Sequence, residues 1–153
     1  LLNLKAIPIA HAKKVYSISQ KELTVIKKAE YRPPQEGHYL SQSISLLNHK
    51  TLTPLRKFIL KKAKEYTRKI LGIKEEIYMT QSWSTINTTN AFHKPHSHPN
   101  TFISVVYYAQ CQDGFLFFDL PRIIIGANFF IKGKLGSKKF VDLIGVQPLE
   151  LKN

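Results

Sequence analysis

Thr101-Phe102-Ile103-Ser104-Val105-Val106-Tyr107-Tyr108-Ala109-Gln110 is the strongest strand signal in the chain. β-Branched and aromatic residues run through it with no proline or glycine. Directly before it stands Ala91-Phe92-His93-Lys94-Pro95-His96-Ser97-His98-Pro99-Asn100. Upstream, Ile77 to Asn87 is a second β-rich run and contains Trp83. Downstream, Asp113-Gly114 is a hairpin signal, and Phe115 to Asp119 returns as the expected partner strand. Residues 121–139, rich in Gly and Lys, read as an insertion or loop. Val141 to Leu151 reads as one or two further strands.

The N-terminal half has a different pattern. Residues 4–10 suggest a short edge strand ended by Pro8. Ser19 to Ala29 reads as a helix, with Ser19 as N-cap, Glu22 three residues later and Leu23 and Ile26 following. Residues 30–50 contain Pro33-Pro34 and Gly37 and read as a loop. Thr53-Pro54 opens the clearest helix, with Thr53 as cap and Pro54 at the first helical position. Leu55, Phe58, Ile59, Ala63, Tyr66 and Ile70 follow helical spacing, and Gly72 closes it. Lys57, Lys61, Lys64 and Arg68 occupy the opposite face. Helices first and strands after predict an α+β protein with a β-sandwich or jelly-roll core. Residues 1–76 supply an N-terminal strand and supporting helices and residues 77–153 the core, all within a single domain.

The 153 residues suffice for one domain with a real core, and 43% hydrophobic against 22% charged is ordinary for a globular protein. The longest apolar run, Ile123 to Ile131, is too short to span a bilayer and contains Gly126 and Asn128. Lys5, His11, Lys13 and Lys14 interrupt any signal-peptide pattern. The lone Cys111 permits no internal disulfide, which points to a reducing compartment and a cytoplasmic protein. The net charge of +13 invites nucleic acid. Only four of the 23 basic residues are arginine, however, and base readout and stacking favour arginine. The charge is better read as a solvated lysine surface. The chain begins at Leu1 and ends at Asn153 in mid-pattern, as expected of a piece cut from a longer reading frame.

Three of the six histidines fall within six residues. His96 and His98 on an extended chain share a face, because side chains alternate. Two neutral imidazoles so placed can take adjacent positions on one metal ion. Pro95 and Pro99 hold the backbone extended and reduce the entropy lost on ordering the ligands. His93 has the wrong parity for that face and is assigned to the loop or to hydrogen bonding behind the ligands.

The surroundings make the pair more specific. In order stand Trp83-Ser84-Thr85-Ile86-Asn87, His96-Ser97-His98-Pro99, Ile103-Ser104-Val105-Val106-Tyr107-Tyr108 and Gly114-Phe115-Leu116-Phe117-Phe118-Asp119-Leu120-Pro121-Arg122. Ser41-x-Ser43 precedes Leu46-Leu47, and Thr80-Gln81-Ser82 leads into Trp83. This set resembles the Fe(II)/2-oxoglutarate oxygenases encoded by many bacteria and marine phages, over roughly residues 5–122. Val105 stands where that family's strand has glycine, and Leu120 is inserted between Asp119 and Pro121.

The resemblance implies a double-stranded β-helix (a jelly-roll, cupin-like core) with helices supporting one face, incomplete here at its C-terminus. It implies Fe(II) as metal, 2-oxoglutarate as cosubstrate and dioxygen as oxidant, the cosubstrate being oxidatively decarboxylated to succinate while an unactivated C–H bond is hydroxylated. His96 becomes the first iron ligand. His98 stands where the superfamily places Asp or Glu, and either serves as second ligand or lies behind a carboxylate such as Asp119. Asn87, Ser104 and Tyr107 are candidates to hydrogen-bond 2-oxoglutarate. Packing in the core is the alternative for Tyr107 or Tyr108, and alternation imposes it on at least one of them. Arg122 is either near the site or an ion-pair partner of Asp119. The distal His and the basic carboxylate anchor of the superfamily find no counterpart, since no histidine follows His98. The substrate is a small molecule or a peptide, and an open barrel edge predicts a homo-oligomer. If phage-encoded, the protein works in host cytoplasm. The competing readings are a non-catalytic jelly-roll binding module and a basic nucleic-acid-associated protein using the Lys57–Arg68 face.

Overall fold

The computed structural model describes Ala10, residues 16–88, Ala91, and residues 96–110 and 122–132. Within these, α1 (Gln20–Lys27) is followed by β1 (His38–Leu40) and two 3-10 turns, Leu46–Asn48 and Lys50–Leu52. Then come α2 (Thr53–Lys69), β2 (Glu76–Asn87), β3 (Ile103–Gln110) and β4 (Arg122–Lys132). The strands form one antiparallel sheet in the order β1-β2-β4-β3, so the described fold is α+β. No helix among the described residues is long and apolar enough to cross a membrane.

The helix signals are realised, with corrections at both ends of α2. Ser19 caps α1 in a full capping box: its hydroxyl accepts from Glu22 N–H, and the Glu22 carboxylate accepts from Ser19 N–H at 2.9 Å. At α2 the cap is Leu52, not Thr53. The preceding 3-10 turn already directs the chain, and the Thr53 hydroxyl donates to the Lys50 carbonyl instead. Leu55, Ile59, Ala63 and Thr67 form the buried stripe of α2. Ile70 is exposed, because the helix ends at Lys69 and the chain turns at Gly72 (φ +68°), a left-handed conformation that suits glycine.

Residues 30–50 are not simply a loop. Leu40 and its neighbours pair with Thr85 to Asn87 as β1, and Leu46 and Leu47 enter the core on a 3-10 turn. Serines stitch this segment to β2. Ser84 N–H donates to Ser41 Oγ, Leu47 N–H donates to Ser82 Oγ, and Tyr31 and Ser84 hydroxyls lie 2.6 Å apart.

The larger correction concerns residues 121–139. Arg122–Lys132 is a strand flanked along its length on both sides, pairing with β2 from Asn87↔Arg122 to Glu76↔Lys132 and with β3 from Ile103↔Phe129. An interior strand covered on both faces loses the apolar–polar alternation that marks a half-exposed one. Ile123, Ile125, Ala127, Phe129 and Ile131 point to the helices and join Ile26, Leu52, Leu55, Ile59, Ile103 and Tyr107 in one core. Ile124, Gly126, Asn128 and Phe130 therefore point to the other face. A register shift between Met79 and Gln81 resets the parity of β2. Gln81, Trp83, Thr85 and Asn87 thus share that second face, while Ser82 and Ser84 turn to the helical side.

The expected edge strand at residues 4–9, the Asp113-Gly114 hairpin with Phe115 to Asp119, and the strands at Val141 to Leu151 lie outside the described residues.

A candidate metal site on the open face of the sheet

The face away from the helices is open at β3, where Val106 is 55% and Tyr108 39% exposed. His96 and His98 stand over it on the irregular segment that leads into β3. Asn100 (φ 55°) makes the turn after Pro99, a backbone conformation that asparagine tolerates. Phe102 N–H then donates to the Phe129 carbonyl and starts the pairing.

The two imidazoles are neighbours, with ring centroids 4.9 Å apart. Imidazoles bound at about 2.1 Å to adjacent positions on one ion have centroids roughly 4.5–5 Å apart, so the spacing fits a shared metal. His98 is held on two sides. Its ring stacks on Trp83 at 5.4 Å and 19°, and its Nδ1 lies 3.3 Å from Asn128 Nδ2. Burial, and next the neighbouring His96, lower the His98 pKa. Both causes favour the neutral imidazole, the form a metal requires.

Trp83 lies flat here because β4 has no side chain beneath it. A Cβ on Gly126 would meet Trp83 Cε2 at 2.4 Å and Cζ2 at 2.5 Å. Asn128, 1% exposed, is the hub of a polar network. Ser104 Oγ donates to its Oδ1 at 2.9 Å, and its Nδ2 reaches Gln81 Oε1 at 3.3 Å. Sequence reasoning missed Asn128, Gln81 and the function of Gly126. The available signal was a glycine and an asparagine two residues apart, on one parity, inside the apolar run Ile123 to Ile131.

Of the expected cosubstrate residues, Ser104 is brought to His98 through Asn128. Asn87 shares the face and pairs in register with Arg122, both buried. It lies four residues beyond Trp83 on β2, roughly 13 Å along the strand. Tyr107 is on the other side of the sheet: it is buried in the core and donates its hydroxyl to the Tyr16 carbonyl at 2.7 Å. Alternation thus puts Tyr108, not Tyr107, on the open face. Among the described residues no group of three His, Cys, Asp or Glu forms around the pair. His93 and Asp119 lie outside the described residues.

Two shallow depressions of about 460 and 370 Å³ share Ala29, Leu46 and His49 near the end of α1, on the helical side. They are largely apolar and bring no second histidine to His49. The chemistry-bearing cluster of the described residues is therefore the histidine pair. No protein-family model, curated protein or solved structure compared with this chain matches it.

Proposed function

We propose that this chain is the metal-binding part of an Fe(II)/2-oxoglutarate-dependent oxygenase, built on a double-stranded β-helix whose helix-supported sheet is the one described above. The observation that carries the reading is the His96–His98 pair, with rings 4.9 Å apart over the open face of that sheet. The order of motifs from Ser41 to Arg122 supports the choice of family.

His96 and His98 hold the iron in this reading. Iron held there would, with dioxygen as the oxidant, couple oxidative decarboxylation of 2-oxoglutarate to succinate and CO2 with hydroxylation of a C–H bond, one oxygen atom entering each product. The protein's residues hold and orient. Trp83 and Asn128 fix the His98 ring, and Ser104, an exposed residue beside Asn128, is the candidate to hydrogen-bond a cosubstrate oxygen when its hydroxyl proton is not given to Asn128 Oδ1. Two histidines make the site less negative by one charge than a His–carboxylate pair, which favours an anionic cosubstrate and weakens the hold on a dication. A carboxylate such as Asp119 is the candidate to complete the set.

The test is Fe(II)- and 2-oxoglutarate-dependent release of succinate by the purified chain, with Co(II) titration monitored through the histidine NMR signals. His96→Ala and His98→Ala each abolish both responses. Absence of metal-dependent change at His96 and His98 in the wild-type chain, together with no succinate, refutes the proposal.

A further inference from the structure

We infer, resting on the metal-site reading above, that Asn128 is the positioning residue of His98: its side-chain amide decides which ring nitrogen carries the proton, and a metal ion at Nε2 requires the amide oxygen, not the NH₂, to face Nδ1. The argument begins with burial. Asn128 is 1% exposed in the interior strand β4, where an amide without partners is costly. Its partners are Ser104, Gln81 and His98.

In the arrangement described above, Nδ2 faces both Gln81 Oε1 and His98 Nδ1, each at 3.3 Å. Nδ1 then accepts. A neutral imidazole has a single ring proton, so that proton sits on Nε2. Such a ring has no nitrogen to offer a metal, because one lone pair is engaged by Asn128 and the other is protonated.

The two ends of an amide are nearly isosteric. With the Asn128 amide turned end for end, its oxygen accepts from His98 Nδ1–H, and from the Gln81 amide turned likewise. Its NH₂ then donates to Ser104 Oγ. Gln81 and Ser104 are both exposed, so their polar groups can turn to match. Each contact keeps its heavy-atom geometry and no buried polar atom is stranded. The proton count is unchanged; only the proton's place on His98 differs, and Nε2 is now free to ligate. Metal-ligating histidines generally donate their other N–H to an oxygen acceptor, which fixes the tautomer and raises basicity. Asn128 is placed to be that acceptor.

The experiment compares wild type, Asn128→Asp, Asn128→Leu and Ser104→Ala. Long-range ¹H–¹⁵N spectra of the metal-free chains at about pH 8, above the ordinary imidazole pKa of about 6.5, report the His98 tautomer. Calorimetric Co(II) titration gives the affinity. Aspartate offers only acceptors, so Asn128→Asp places His98 in the Nδ1–H form and binds Co(II) at least as tightly as wild type. Asn128→Leu weakens Co(II) binding by about 10- to 100-fold, the usual effect of losing such a partner. Ser104→Ala, at an exposed position that does not endanger folding, weakens it by a smaller factor. An Nε2–H His98 in Asn128→Asp overturns the inference. So does an unchanged Co(II) affinity in both Asn128→Leu and Ser104→Ala, while the His96–His98 site itself survives that result. If wild type binds no Co(II), the metal reading fails, and the metal-free spectra alone decide whether Asn128 sets the tautomer.

Discussion

Gly126→Ala tests whether His98 is held by a tryptophan that needs bare backbone beneath it. The added methyl carbon would sit 2.4 Å from Trp83 Cε2, 2.5 Å from Cζ2 and 2.9 Å from Nε1. Carbon atoms in contact rest at roughly 3.5–4.0 Å, so something must move by about 1 Å or more. The backbone cannot easily do so, because Gly126 pairs with Trp83 on one side and Val106 on the other. The indole, only half-buried, gives way and leaves the position in which it stacks on His98. Overpacking of this kind costs about 1–3 kcal/mol. Alanine restricts the unfolded chain and returns about 0.4–1 kcal/mol. The net expectation is a loss of about 1–2 kcal/mol, or roughly 2–8 °C in Tm for a domain of this size.

Trp83 is the sole tryptophan, so its emission reports the displacement directly and shifts to the red in Gly126→Ala. Co(II) affinity falls with it, because His98 loses one of its two supports. A double-mutant cycle isolates the cause. In a Trp83→Val background, followed by circular dichroism, Gly126→Ala becomes neutral or slightly stabilising, giving a coupling of about 1–3 kcal/mol. An equal penalty with and without Trp83 would refute the close-contact argument, as would an unchanged midpoint and emission spectrum in the single variant.

Further outcomes follow from the other face. Tyr107→Phe loses the hydroxyl donated to the Tyr16 carbonyl and costs about 0.5–1.5 kcal/mol in urea unfolding, yet leaves Co(II) affinity unchanged; a loss of affinity would contradict its placement in the core. Ser19→Ala costs about 1 kcal/mol through its cap, measured the same way. Burial alone raises the Glu22 pKa, but hydrogen bonds from Ser19 N–H, the Ser19 hydroxyl, the Tyr16 hydroxyl and Leu55 N–H bring it below the ordinary range. Its stabilising contribution is complete above about pH 4.3 and is lost as pH falls through the depressed value, so Glu22→Gln flattens the acid limb of the stability curve. Tyr16 moves the opposite way, up to about 12, through burial first and then the hydrogen bond to Glu22 and the charges of Glu22 and Tyr107. Its contribution is complete below about pH 10 and lost as pH rises through 12, so Tyr16→Phe removes that part of the alkaline destabilisation in melts between those limits.

Where the sequence was legible, the signal was local. Ser19 and Glu22 contact each other across one turn, so the capping box can be read three residues apart. β2 and β3 carry enough aromatic and β-branched residues to stand out. The α+β class followed from the order of these elements. β4 was hidden for a physical reason. Isoleucine at 123, 124 and 125 serves both faces of an interior strand, which erases the period of two, and Gly126 and Asn128 then look like loop punctuation. Their roles depend on Trp83 and His98, which are 43 and 30 residues distant in the chain. Spacing alone could bring His96 and His98 together, but not identify what steadies them. Parity could say that one of Tyr107 and Tyr108 is core; choosing between them required the register of β3 against β4.

The position of β4 also explains how an irregular segment can present a defined ligand. Residues 96–98 contribute no regular secondary structure. Their own backbone therefore fixes His98 less well than a strand would. β4, by contrast, is paired along both edges, and its odd-numbered side chains are locked into the helical core. That packing leaves Gly126 and Asn128 little freedom on the opposite face. One provides the bare surface on which Trp83 lies, and the other provides the amide at Nδ1. The aromatic stack sets the plane of the imidazole, and the amide sets its rotation within that plane. Precision is thus transferred from the hydrophobic core, through a single strand, to a side chain on a segment that could not supply it. A site built this way should be more sensitive to substitutions at 83, 126 and 128 than to changes at Ser97, which is exposed between the two histidines.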